Sequence, residues 1–189
     1  MTSRSELNRA LRRLRPDRRR AAFARRADDA LPFVERGPPF PAKLLLDTTV
    51  YVDELQGRTG GAAELALRAC DLWHASVAAA ELALALGRLD PADPRTRTAT
   101  AQCRRALERI PEHKVLTPDD AVWREAGIAA GVLARTQGYG RDARLRLLND
   151  ALILLTARKH GCTVLTRNLA DFDVLLQLLT GARAVFYRT

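Results

Sequence analysis

From Lys43 onward, short apolar runs alternate with stretches of helical period, and this alternation limits the fold more than any other feature of the chain. Residues 43–46, 72–75, 115–116, 163–166 and 184–187 read as strands. Runs that are apolar on both faces suit the interior of a parallel sheet, whose crossovers put helices on both sides. Helices are predicted from residue 50, at 62–68, across Glu81 behind Ser76 as cap, and at 98–110. Thr117-Pro118-Asp119-Asp120 reads as a helix start, with Thr117 as cap, Pro118 in the first position and acids in the first turn. That helix runs to about residue 136. A further helix is predicted from Asp150 behind Asn149 as cap, and a last one over 171–179. The expectation is an α/β fold of three layers, α/β/α, around a central parallel sheet.

The first forty residues differ. They hold eleven arginines against five acids, a balance of +6 out of the chain's +9. Leu7, Leu11 and Leu14 fall on one face of a predicted helix that Pro16 stops. A second short helix is predicted over 17–30, with Phe23 and Leu31 as its apolar contacts. Gly37-Pro38-Pro39-Phe40-Pro41 then reads as a stiff linker and a domain boundary. Two roles suit this basic extension. It can add phosphate contacts to a nucleic acid, or its leucines and Phe23 can pack it on the domain or on a second copy of the chain. A homodimer is therefore left open.

Cys70, Cys103 and Cys162 are odd in number and show no C-x-x-C spacing. This argues against a disulfide framework or a zinc site and for a reducing, cytoplasmic setting. No apolar run reaches membrane-spanning length, and no secretory apolar core follows the start, so a membrane partner is not expected.

Within the predicted fold, four acids stand out. Asp47 closes the first strand, Glu81 interrupts an Ala/Leu helix, Asp150 opens the run 151–155, and Asp171 follows the fourth strand. An ionised carboxylate in an apolar setting is costly unless it is paired, hydrogen-bonded or metal-bound. Sites in such sheets form beyond the carboxyl ends of the strands. Four acids directed to that edge suggest one divalent-cation site assembled by folding. Simple capping is the competing role for Asp47 and Asp150. Glu64, Asp90, Glu108 and Glu125 stand among polar residues and are expected to be solvated.

The pieces Leu-Leu-Leu-Asp47-Thr-Thr-Val, Ala-Ala-Glu81-Leu, Asn-Asp150-Ala-Leu-Ile and Val-Leu-Thr166-Arg-Asn168-Leu-Ala-Asp171-Phe172 resemble the motifs of PIN-domain nucleases, most closely the VapC-type toxins of bacterial toxin–antitoxin pairs. The resemblance covers roughly residues 43–187. It implies a PIN-like nuclease domain over 42–189, with 1–41 as the Arg-rich extension and linker. It also implies a metal site of Asp47, Glu81, Asp150 and Asp171, with Thr49, Thr166, Asn168 and Asp173 as auxiliary polar groups. Oxygen-only ligands suit one or two Mg²⁺ or Mn²⁺ ions. The implied activity is endoribonucleolytic hydrolysis leaving a 5′-phosphate and a 3′-hydroxyl, under control of a small antitoxin protein. Arg141, Arg144, Arg146 and Arg167 are near the acids in sequence and are the candidate RNA contacts. Two other readings remain. One is a non-catalytic RNA- or partner-binding module on the same fold. The other is a haloacid-dehalogenase-like phosphatase with Asp47 as nucleophile, for which the chain lacks a fitting lysine and acidic pair.

Overall fold

The computed structural model describes residues 3–189. Five strands form one parallel sheet in the order β3-β2-β1-β4-β5: β1 is Lys43–Leu46, β2 Asp71–Ala75, β3 Val115–Leu116, β4 Thr163–Thr166 and β5 Ala184–Phe186. Leu44, Leu45 and Leu46 are buried on both faces of the sheet, as a central parallel strand requires. The chain leaves β1 toward β2 and β3, then returns to place β4 and β5 on the other side of β1. The order of winding thus reverses between β1 and β4, and a crevice opens beyond their carboxyl ends.

Upstream of the sheet lies α1 (Ser3–Leu14). The crossovers are α2 (Thr48–Leu55) and α3 (Gly61–Ala69), then α4 (Ser76–Gly87) and α5 (Thr96–Glu108). After β3 come α6 (Asp120–Gln137) and α7 (Arg141–His160), and α8 (Leu169–Leu178) joins β4 to β5. Gly138 and Gly161 end α6 and α7 in the left-handed region, at φ 70° in both, where a glycine carries no Cβ penalty.

The element boundaries correct several expectations. The cap of α6 is Asp119, which accepts from the Val122 amide at 3.0 Å, while Pro118 is buried ahead of it. A carboxylate reaches that amide and also meets Lys159 of α7, which a threonine at 117 cannot do. Ala75 precedes α4 in the cap position, with no side-chain cap from Ser76. Asn149 caps nothing. It lies inside a continuous twenty-residue α7, where Leu147 is fully buried and the Asn149 amide is satisfied across the fold by Glu81.

The segment 17–30 is not a helix, apart from one 3₁₀ turn at Asp28–Ala30. Its backbone groups are taken by other elements instead. Gln137 donates to the Phe23 carbonyl and Gln177 to the Ala24 carbonyl, each at 3.0 Å, and the Arg26 amide donates to Asp173. Each of these bonds removes a group that a helix would use internally. In α1, Ala10 and Leu14 are buried against the core, Leu7 is half-buried, and Leu11 remains exposed. Arg13 of α1 and Arg158 of α7 both bind Glu125 of α6 at 2.7 Å. Glu125 is therefore a buried, doubly paired acid rather than a solvated one. Further along, Phe33 bridges to Phe186 beside β5, with ring centroids 5.8 Å apart.

No helix among the described residues is long and apolar enough to cross a membrane.

Candidate metal centre

Asp47 directly follows β1 and caps α2, so its backbone is fixed by two elements at once. Its Oδ2 accepts from the hydroxyls of Thr49 and Thr166, both at 2.7 Å. Thr166 ends the neighbouring strand β4 and also accepts from the Asn168 amide at 2.9 Å. Asn168 caps α8 and joins two of the acids. Its Nδ2 donates to Asp150 at 3.1 Å and to Asp171 at 3.0 Å, while its Oδ1 accepts from the Asp171 amide. Glu81 of α4 receives Nδ2 of Asn149 at 2.7 Å and the Thr48 hydroxyl. The residues beside Asp150 and Asp47 thus hold the fourth acid.

Asp47 and Asp150 are buried, at 2% and 7% exposure, which makes their charges expensive. Burial raises the Asp47 carboxyl, and the hydroxyls of Thr49 and Thr166 and the Thr48 amide only partly offset this. Asp150 rises well above the ordinary carboxylate range, first through burial, then through the charges of Asp47, Asp171 and Glu81. Arg146 opposes that rise without cancelling it. The four acids therefore act electrostatically as one cluster.

This cluster fits a divalent cation by the chemistry of its donors. They are hard oxygens, and their mutual repulsion calls for a positive charge or a proton. Among the described residues, no three His, Cys, Asp or Glu side chains stand grouped as the ligands of one ion would.

The remaining predicted residues divide. Thr49, Thr166 and Asn168 are in the network. Asp173 is not: it is fully buried beneath the N-terminal segment, where Arg26 meets it through Nε at 2.6 Å and its backbone amide at 2.8 Å. Arg167 sends Nε to Asp53 at 2.7 Å. Arg141, Arg144 and Arg146 are exposed on the first turns of α7, and Arg144 bonds the Tyr139 carbonyl.

Two residues were missed by sequence reasoning. Tyr139 is pushed up to about 12 by burial and by the Asp171 charge, with which its hydroxyl interacts. The flanking glycines marked its loop but not its direction. Asp53 is fully buried and receives Arg167, Arg58 and the Tyr187 hydroxyl within 2.9 Å. Its spacing of three from buried Val50 on α2 was the available signal.

Residues 44–174 match the family model of the PIN domain, and the chain belongs to that family. Solved structures show the same fold. FitAcB from Neisseria gonorrhoeae is 21% identical, with 76% of this chain and 96% of that chain covered, at a TM-score of 0.53. DNA-bound VapBC from Salmonella typhimurium is 20% identical over 76% and 97%, at 0.54. VapBC-5 of the VapBC toxin–antitoxin family, from Mycobacterium tuberculosis, is 19% identical over 79% and 100%, at 0.51. No curated protein matches the sequence.

Proposed function

We propose that this chain is a divalent-metal-dependent endoribonuclease of the cytoplasm and the toxin of a toxin–antitoxin pair. One observation carries the reading. Beyond the carboxyl ends of β1 and β4, burial raises Asp150 well above its ordinary range, and the charges of Asp47, Asp171 and Glu81 raise it further. Membership of the PIN domain family supports it.

In this reading Asp47, Glu81, Asp150 and Asp171 hold one or two Mg²⁺ or Mn²⁺ ions. Such an ion, when bound, acidifies water and neutralises charge on the phosphodiester. The chain's own residues provide the geometry. Thr49 and Thr166 fix the direction of Asp47, and Asn168 sets the spacing of Asp150 and Asp171. Asn149 and Thr48 turn Glu81 inward. Arg141, Arg144 and Arg146 on the α7 rim attract the RNA backbone toward a pocket that would otherwise repel it. Residues 42–189 form the nuclease unit in this proposal, and 1–41 serve it as an accessory.

Asp47→Asn removes one ligand charge and keeps the shape. Turnover on RNA is expected to fall by orders of magnitude with the circular dichroism spectrum unchanged, and EDTA is expected to do the same reversibly. Undiminished cleavage in either case overturns the reading. The likeness to VapBC and FitAB complexes supports a small protein inhibitor as partner. Expression of the chain alone should arrest growth, and Asp150→Ala should relieve the arrest.

A further inference from the structure

Residues 23–26 cross the molecule beside the carboxylate cluster along a fixed path. Gln137 and Gln177 hold the carbonyls of Phe23 and Ala24, and buried Asp173 holds Arg26. Arg25 takes no part in this anchoring. Its side chain is 54% exposed and pairs at the surface with Asp28 at 2.6 Å. It lines a cavity of about 500 Å³ together with Thr49, Arg167, Asn168, Leu169 and Ala170. Thr49 holds Asp47, and Asn168 bridges Asp150 and Asp171, so the cavity opens next to the acids. Two arginines and no acid are among its lining residues.

We propose that this cavity takes a backbone phosphate of the RNA next to the one being cleaved, with Arg25 as the positioning residue. The proposal rests on the nuclease reading above. A four-carboxylate cluster repels a polyanion, so attraction must come from cations at its rim. Arg167 shares its charge with buried Asp53, which fixes its direction and weakens its pull on a phosphate. Arg25 supplies the charge that Arg167 has given up. An exposed pair such as Arg25–Asp28 contributes little, so Arg25 exchanges it for a phosphate at small cost. Arg25 lies outside the family match over 44–174, so this cation comes from the segment that precedes the matched domain.

The test uses the full chain and a single-stranded RNA oligonucleotide that it cleaves. Arg25→Ala should raise KM about tenfold with kcat nearly unchanged. It should also reduce the log–log salt slope of binding by roughly 0.7. Arg20→Ala removes the same charge from the same segment outside the cavity and should change neither. Both variants should melt with the wild type. Oligonucleotides with one linkage made neutral as a methylphosphonate locate the contact. Wild type should lose affinity at one linkage beside the cleaved bond, and Arg25→Ala should lose nothing further there. Equal effects of Arg20→Ala and Arg25→Ala, or additive losses at every linkage, overturn the proposal while leaving the nuclease reading intact. Absence of cleavage by the wild type overturns both.

Discussion

Asn168 does two jobs with one amide, and they can be separated. Its Oδ1 caps α8, and its Nδ2 bridges Asp150 and Asp171. Asn168→Ala should cost about 1 kcal/mol through the lost cap. Asn168→Asp keeps a capping oxygen but replaces the bridging donor with a fifth acid. It should retain most of the stability seen in urea titration and lose activity as Asn168→Ala does. Asp150 bears on pH. Its folded carboxyl is raised, so between the ordinary carboxylate range and that raised value the native state binds more protons than the unfolded chain. Stability of the metal-free protein should therefore fall as pH rises through this window. Mg²⁺ should restore it near neutrality. Asp150→Asn should raise the metal-free melting temperature at neutral pH and abolish the Mg²⁺-dependent gain. Thermal melts in EDTA and in excess Mg²⁺ measure both effects.

At the scale of elements, Asp53 ties α2 to the residues that follow β4 and β5. Burial pulls its carboxyl up, but Arg167, the Tyr187 hydroxyl and Arg58 outweigh this and hold it below the ordinary value. Its contribution to stability is thus present above that ordinary value and is lost as pH falls through the lowered one. Asp53→Ala removes the buried acceptor shared by Arg167, Arg58 and the Tyr187 hydroxyl and should cost about 1–3 kcal/mol in urea titration. Asp53 also marks where reading the sequence stops. The leucines of β1 announce an interior strand because both faces are apolar within the strand itself. Asp47 and Asp150 stand out for a similar local reason, as acids beside apolar runs. Glu125 and Asn149 carry no such signal, and for Asp53 the signal of its apolar neighbours on α2 does not name a partner. Their partners are remote, with Arg13 lying 112 residues from Glu125 and Glu81 lying 68 from Asn149. Asn149 before an acid looks like a cap until Glu81 is folded against it. The path of 17–30 was hidden for the same reason, since the glutamines that hold its carbonyls belong to α6 and α8.

Across the whole molecule, the N-terminal segment is part of the packing. Leu14 is 1% exposed, and Leu14→Ala should cost about 2–5 kcal/mol. Deleting residues 1–36 should lower the melting temperature by uncovering the face of α6 that α1 shields, and should weaken RNA binding as Arg25 leaves. Calorimetry and binding on one truncated preparation check both. The seat of this segment also sets a schedule. Arg26 is held by Asp173, 147 residues downstream, and Phe33 is held by Phe186 beside β5. At roughly 5–20 residues per second, translation needs roughly 7–30 s to reach Asp173 after Arg26 has been made. During that interval Arg26 lacks Asp173 and the segment has no β5 edge to lie against. The acids at positions 47, 81 and 150 are all synthesised before that seat exists. The segment made first is thus among the last to be seated, once Asp173 and β5 have followed it.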